Sequence, residues 1–155
     1  MTDGIDWILG RGGDDYLLGG FGDDYIDGGE GDDWIEGGDG ENVMNGGAGN
    51  DYFVSGSGDD WADGGSGNNS FAGGAGANTQ TGGDDADKME GKGGSDIQNG
   101  GGGDDYMFGD EEDGNDTGMP GNDWMEGGDG NDFMDGGAWD DVMFGDANAD
   151  TMYGG

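Results

Sequence analysis

Acidic residues recur at one position of a nine-residue period. When the chain is read in blocks of nine from residue 1, the sixth position is Asp in 13 of 17 blocks, beginning with Asp6, Asp15 and Asp24. Carboxylate and carbonyl oxygens are the ligands that Ca²⁺ prefers, with about six to eight around each ion. Glycines fill the first, second and fourth positions, where positive φ angles and the absence of a side chain let backbone carbonyls converge. The spacing therefore predicts many similar calcium sites.

The candidate calcium ligands are these sixth-position residues. The charged ones are Asp6, Asp15, Asp24, Asp33, Asp51, Asp60, Asp87, Asp96, Asp105, Asp123, Asp132, Asp141 and Asp150. Asn42, Asn69 and Asn78 occupy the same position and predict weaker sites, because an amide supplies only a neutral oxygen. Unpaired carboxylates repel one another, so the chain is expected to be unstable until cations bind.

If each ion needs an Asp from both of two units that are two apart, the units divide into two stacks. The even-unit stack contains Asp15, Asp33, Asp51, Asn69, Asp87, Asp105, Asp123 and Asp141, which give five complete pairs of seven. The odd-unit stack contains Asp6, Asp24, Asn42, Asp60, Asn78, Asp96, Gly114, Asp132 and Asp150, which give two complete pairs of eight. One edge is therefore expected to bind Ca²⁺ more tightly than the other.

The elements that must hold these ligands are stacked repeats. The 17 units occupy residues 1 to 153 without an insertion or deletion, which predicts a single solenoid over residues 1–155. Two segments are degenerate: 73–90 puts Gln80 at a core position, and 109–117 has Gly114 for the acid and Asp116 for the core residue. They are candidate hinges or a break between two rolls, although gradual decay of the repeats is the simpler explanation.

Strand alternation assigns the large side chains to two faces. The eighth position is expected to point inward, and it holds Ile8, Leu17, Ile26, Ile35, Met44, Phe53, Phe71, Met89, Met107, Met125, Met134, Met143 and Met152. For the methionines, core packing is favoured over a soft-metal or promiscuous binding surface. The seventh position is expected to face solvent, and it holds Trp7, Tyr16, Tyr25, Trp34, Tyr52, Trp61, Tyr106, Trp124 and Phe133. These rings predict either a stabilising ladder or a face for a saccharide, a partner or another copy.

Composition excludes several functions. With 29% hydrophobic residues, 45 glycines and a net charge of -35, the chain cannot build an ordinary core, so something else must stabilise its fold. The charge makes nucleic acid and anionic membranes poor partners. There is no Cys and no His, which argues against disulfides and zinc, and no apolar run is long enough to span a membrane. Residues 1 to 20 lack the pattern of a signal peptide.

The phrases "GGFGDDYID" and "GGEGDDWIE" resemble the nonapeptide G-G-x-G-x-D-x-U-x of the RTX (repeats-in-toxin) family. The resemblance covers the whole chain. It implies an all-β, right-handed parallel β-roll, a β-solenoid with two nonapeptides per coil and about 8.5 coils here. In each unit, six residues would turn around a calcium ion and three would form a strand. Catalysis in such proteins would lie in a separate domain, and acid pairs such as Asp14 and Asp15 recur too often to mark one site, so no enzyme is expected.

The resemblance also implies a biological setting. It suggests secretion in an unfolded, calcium-free state by a route that needs no signal peptide, followed by folding outside the cell. The expected function is a calcium-binding module that acts as a structural, spacing and interaction element. No flanking cap or C-terminal secretion segment is recognisable, as expected for an excised block of repeats. The alternative is a self-associating or surface-binding, adhesin-like protein that uses aromatic faces and uncapped coil ends.

Overall fold

The structure is a computed structural model that describes residues 4–110 and 120–155, and these residues form sixteen short strands. The strands are β1 (Trp7–Gly12), β2 (Tyr16–Phe21), β3 (Tyr25–Glu30), β4 (Trp34–Asp39), β5 (Val43–Ala48), β6 (Tyr52–Ser57), β7 (Trp61–Ser66), β8 (Ser70–Ala75), β9 (Thr79–Gly83), β10 (Lys88–Gly93), β11 (Ile97–Gly102), β12 (Tyr106–Phe108), β13 (Trp124–Asp129), β14 (Phe133–Asp135), β15 (Val142–Ala147) and β16 (Thr151–Tyr153). Odd-numbered strands form one parallel sheet, the odd sheet, and even-numbered strands form the other, the even sheet. The predicted β-roll is confirmed as a parallel β-solenoid of about eight turns. Nowhere in these ranges is there a helix long and apolar enough to cross a membrane.

The strands are longer than the three residues that the resemblance implies. Most run for six residues, from the seventh position of one unit to the third position of the next, as in β4 (Trp34–Asp39). The register of β4 with β6 includes Gly38 opposite Gly56 and Asp39 opposite Ser57. The first three positions of most units, two of which are usually glycine, therefore also belong to the strands. Only the fourth to sixth positions are left to form the turn.

Eighth-position side chains fill the interior, as predicted. Phe53 and Phe71 are buried, and their rings stack with centroids 4.6 Å apart. Met89, Met107, Met125 and Met134 are fully buried, so this part of the methionine run packs in the core. The prediction is wrong for Met152, which is 48% exposed because β16 is the edge strand of the even sheet and has a neighbour on one side alone.

Two glutamines interrupt this core without breaking the stack. Gln80 is buried, as expected, and Gln98 is a second buried glutamine one coil later. The Gln98 Nε2 atom donates to Gln80 Oε1 at 3.0 Å and to the Phe108 carbonyl at 3.0 Å. Strand β9 pairs with both β7 and β11, so strand pairing continues through the degenerate segment 73–90.

The second degenerate segment changes the register. Neighbouring strands are 18 residues apart up to β12, but Ile97 of β11 lies opposite Trp124 of β13, which is 27 residues later. Tyr106 and Phe133 of the even sheet show the same offset. Residues 111–119, with Gly114 and Asp116, lie outside the described residues. The gapless register predicted from the sequence assumes that every nine-residue unit adds one strand. Because one unit adds nine residues without adding a described strand, that assumption assigns the units after it to the wrong sheets.

Backbone conformation favours glycine at most second and fourth positions. Gly47 at the second position and Gly49 at the fourth have φ angles of 101° and 139°. Side-chain-bearing residues also occur at these positions with positive φ: Arg11, Lys92, Trp139, Asp146 and Asn148. A left-handed conformation costs an L-residue about 1 to 2 kcal/mol, so these positions carry local strain.

Replacing Arg11 by Gly is expected to stabilise the calcium-loaded roll. Arg11 has a φ of 82°, and Arg11→Gly removes the steric cost of that conformation. The matched control is Arg11→Ala, which removes the same charge but keeps a Cβ atom. Urea unfolding in calcium should give Arg11→Gly a stability about 1 kcal/mol above that of Arg11→Ala. Equal midpoints would mean that the backbone at this position is not strained.

Candidate calcium sites

The sixth-position residues form two continuous ladders, one along each sheet. In each ladder, the Oδ1 atom of one residue accepts the backbone N–H of the residue one coil earlier. The Asp15 N–H donates to Asp33 Oδ1 at 2.8 Å, and the Asp33 N–H donates to Asp51 Oδ1 at 2.8 Å. The same bond links every consecutive pair in both ladders, with lengths from 2.7 to 3.1 Å.

The composition of the ladders corrects the predicted stacks. The odd ladder contains Asp6, Asp24, Asn42, Asp60, Asn78, Asp96, Asp123 and Asp141, and the even ladder contains Asp15, Asp33, Asp51, Asn69, Asp87, Asp105, Asp132 and Asp150. The predicted pair Asp105/Asp123 is wrong, because Asp132 follows Asp105. Within the described ranges the odd ladder has three complete Asp pairs and the even ladder has five, so the even edge remains the richer one.

Most ladder aspartates have a second carboxylate oxygen, Oδ2, that is buried. In residues 4–110 and 120–155, eleven of these Oδ2 atoms are buried and have no hydrogen-bond partner: those of Asp15, Asp24, Asp33, Asp51, Asp60, Asp87, Asp96, Asp105, Asp123, Asp132 and Asp141. Buried polar atoms in folded proteins nearly always have a partner. A repeated row of partnerless carboxylate oxygens is what a row of cation sites requires.

The first-position glycine leaves space beside each of these oxygens. A Cβ atom on Gly10 would lie 2.5 Å from the Gly28 carbonyl oxygen and 2.8 Å from Asp15 Oδ2. The sequence predicts positive φ for the first, second and fourth glycines, but Gly10 and Gly28 are absent from the positive-φ residues. The first glycine is therefore needed for the space that it leaves between a carboxylate and the carbonyl of the next coil.

The oxygens around that space suit Ca²⁺. No group of three or more acidic side chains converges on one point in the part of the chain that the structure describes. Each site would therefore combine one or two carboxylates with backbone carbonyls, and Ca²⁺ accepts such mixed sets at variable geometry. The ion would supply the positive charge that the row of Oδ2 atoms needs.

The pKa values of the ladder aspartates also indicate that cations belong beside them. Burial raises the pKa of Asp51, Asp60, Asp87 and Asp96 to about 6, and that of Asp105 and Asp123 to about 7. For Asp105, the backbone N–H of Asp87 opposes this rise, while the charges of Asp87, Asp132 and Asp104 add to it. Desolvation penalises the ionised form of a carboxyl group. The folded ladders are thus unfavourable places for negative charge unless a cation lies beside them.

The fifth-position residues have a separate structural role that their acidity does not reveal. Their side chains accept the backbone N–H of the fifth-position residue one coil later, as in Asp32 N–H to Asp14 Oδ1 at 3.0 Å and Asn50 N–H to Asp32 Oδ1 at 2.7 Å. These bonds lie on the exposed side of the turn. In an acid pair such as Asp32 and Asp33, the fifth-position residue therefore faces solvent and the sixth-position residue faces the candidate ion site. The frequent Asp and Asn at the fifth position are the sequence signal for this outer ladder.

The seventh-position rings face solvent, and some form the predicted ladder. The ring centroids of Tyr16 and Trp34 are 5.9 Å apart, and those of Trp34 and Tyr52 are 4.4 Å apart. On the odd sheet, Trp7 contacts Tyr25 at 4.9 Å. Tyr25 and Phe133 are half-buried rather than fully exposed. Binding of a saccharide or a protein to these rings, and self-association through them, stay predictions.

Comparison with protein families gives the same assignment as the geometry. The family model described as RTX calcium-binding nonapeptide repeat (4 copies) matches residues 2–35, 19–53, 27–62, 45–80, 63–98, 81–117 and 113–151. Comparison with curated proteins gives no match. The family matches overlap across almost the whole length, and the ladders place the acid of the repeat near a backbone carbonyl of the next coil. The chain belongs to the RTX calcium-binding nonapeptide repeat family.

Proposed function

We propose that this chain is a calcium-dependent folding module that serves a secreted protein as a structural, spacing and interaction element outside the cell. The observation that carries the proposal is the row of buried Oδ2 atoms without hydrogen-bond partners among the described residues. With a net charge of -35, the chain needs bound cations to make this arrangement favourable. Binding several ions then supplies folding free energy.

The ligand chemistry supports an extracellular location. Extracellular calcium modules bind on the order of 10⁻⁴ to 10⁻³ M, weaker than cytosolic buffers that surround the ion with many charged ligands. Sites made of one or two carboxylates and backbone carbonyls belong at that weaker end. Such a chain remains calcium-free and unfolded until it reaches a calcium-rich compartment, which suits export before folding.

The module is proposed to be non-catalytic. The ladder carboxylates hold the backbone N–H groups of the previous coil, and the fifth-position residues hold those of the next coil. Because these carboxylates are equivalent from coil to coil, they make a scaffold rather than one reacting centre. The family itself is defined by calcium binding.

Calcium titration of variants at adjacent residues tests the proposal. Asp33→Ala removes a buried ladder carboxylate, whereas Asp32→Ala removes an exposed carboxylate of the outer ladder. Isothermal titration of the calcium-free chain should give several ions for the wild type, at least one fewer for Asp33→Ala, and the wild-type number for Asp32→Ala. Magnesium should bind poorly, because it demands tighter octahedral geometry. A wild-type chain that binds no calcium would refute the proposal.

A further inference from the structure

Three asparagines in the ladders present a different atom to the ion sites. Asn42 Oδ1 accepts the Asp24 N–H at 3.0 Å, so its amide nitrogen is the atom that faces away from that bond. Asn69 and Asn78 are fixed in the same way by the N–H groups of Asp51 and Asp60, at 2.9 Å and 3.1 Å. A backbone N–H can bond to an amide oxygen but not to an amide NH₂ group, because both are donors. The backbone N–H therefore fixes the orientation of each amide.

The amide nitrogens lie where the aspartates place Oδ2. A Cβ atom on Gly37 would lie 2.6 Å from the Ser55 carbonyl oxygen and 2.9 Å from Asn42 Nδ2. The equivalent atoms around Gly10 are the Gly28 carbonyl oxygen and Asp15 Oδ2. We call the space between a first-position glycine, the Oδ2 atom and the carbonyl of the next coil the cradle. The cradle beside Gly37 keeps the carbonyl of the next coil, but a hydrogen-bond donor replaces the carboxylate oxygen.

These amide nitrogens already have hydrogen-bond acceptors. The Nδ2 atoms of Asn42, Asn69 and Asn78 donate to the fourth-position carbonyls of Gly40, Gly67 and Gly76 at 3.2, 2.9 and 3.2 Å. Asn42 Nδ2 also donates to Asp60 Oδ1, the ladder carboxylate of the next coil, at 3.0 Å. The amide therefore satisfies a carbonyl and a carboxylate that a cation would otherwise attract.

We infer that these three asparagines close their gaps in place of a calcium ion, where a gap is the space between one ladder residue and the next residue of the same ladder. The earlier residue of the gap decides its state: Asp opens it to an ion, and Asn fills it with an N–H donor. An amide NH₂ group carries two donors and no acceptor, so it repels a cation at the distance where Oδ2 would bind it. The inference rests on the proposed calcium loading, and it replaces the expectation of weak sites at Asn42, Asn69 and Asn78.

The inference makes the two gaps that flank one asparagine unequal. The gap from Asp24 to Asn42 begins with a carboxylate whose Oδ2 atom is buried and partnerless in the described ranges. The gap from Asn42 to Asp60 begins with the amide that bonds to Gly40 and Asp60. A rule that counts aspartates in each pair would treat both gaps as equally weakened, whereas the geometry assigns an ion to the first and none to the second.

Asn78→Asp and Asn68→Asp form a matched test. Both variants add one negative charge, but Asn78 is buried in the odd ladder, whereas Asn68 is an exposed fifth-position residue. In calcium titration calorimetry, Asn78→Asp should bind one more ion per chain than the wild type, and Asn68→Asp should bind the wild-type number. The converse variant, Asp24→Asn, should bind one ion fewer. If Asn78→Asp and the wild type both bind calcium and bind equal numbers of ions, the inference is wrong and the proposed function stands.

Anomalous diffraction from wild-type crystals grown in calcium gives a readout that needs no variant to fold. Ion density is expected between Asp24 and Asn42, and none between Asn42 and Asp60. Density of equal strength in both gaps would overturn the inference while supporting calcium binding. A wild-type chain without ions in any gap and without calcium binding in solution would overturn the proposed function as well.

Discussion

In excess EDTA at neutral pH, the chain is expected to lose its β-sheet circular dichroism and to become a largely disordered acidic polymer. The ladders bury eleven partnerless carboxylate oxygens in the described residues, and burial raises the pKa of six ladder aspartates to about 6 or 7. One site at 100 times its Kd contributes about 2.7 kcal/mol to folding. A few such sites match the whole stability of a typical domain, about 5 to 15 kcal/mol.

Adding calcium back should restore the β signal, and adding magnesium at the same concentration should not. The comparison separates specific binding from general screening of the negative charge, because both ions carry the same charge and screen it equally. Size-exclusion chromatography on the same samples should show compaction in calcium alone. A β spectrum that is unchanged in EDTA would contradict the expectation that ions supply the folding free energy.

The second large effect is expected from a single methyl group in one cradle. Gly28→Ala would place a Cβ atom against Asp33 Oδ2 and 2.7 Å from the Gly46 carbonyl oxygen. Overpacking of this kind costs about 1 to 3 kcal/mol, and here it also obstructs one ion site. Calcium titration should show at least one ion fewer, and urea unfolding in calcium should show a clear loss of stability.

Gly12→Ala is the matched control for that substitution. Gly12 lies at the third position of its unit, and its nearest contacts to an added Cβ atom are the Cβ and carbonyl oxygen of Glu30, at 3.8 Å. Its ion number and urea midpoint are expected to stay near the wild-type values. If Gly28→Ala behaves like Gly12→Ala, the cradle at the first position does not hold an ion.

The repeat period predicts those features that every coil must satisfy in the same way. Inward-facing residues such as Phe53 and the burial of the sixth-position aspartates follow from strand alternation and ligand chemistry. The orientation of Asn42 does not, because it depends on which backbone N–H is nearby in the folded coil. The extension of the strands to six residues could not be predicted either, because glycines such as Gly38 give no hydrophobic pattern that would indicate strand pairing.

The order of the later coils illustrates a different limit. A gapless sequence register assigns Asp123 to the even ladder, but the structure pairs it with Asp96 in the odd ladder. The degenerate unit 109–117 marks the place of the change, but its residues do not predict that β11 and β13 pair across it. The deciding factor is how many units separate two stacked coils, and that is a property of the whole chain.

The 27-residue offset between β11 and β13 has a consequence for how such a gene could vary. Consecutive units alternate between the sheets, so a duplication or deletion of one unit exchanges the faces of all units that follow, whereas a change of two leaves them in place. The later units tolerate the exchange at their ladder and core positions, because from Asp123 onward every sixth-position residue is Asp and every eighth-position residue is Met. The outward-facing seventh-position residues differ between the sheets: the 27-residue offset places Trp124 opposite Ile97, whereas an offset of 18 residues would place it opposite Tyr106. Unequal recombination between repeats could thus rearrange the outer surface of the roll in one event, without a single amino-acid substitution.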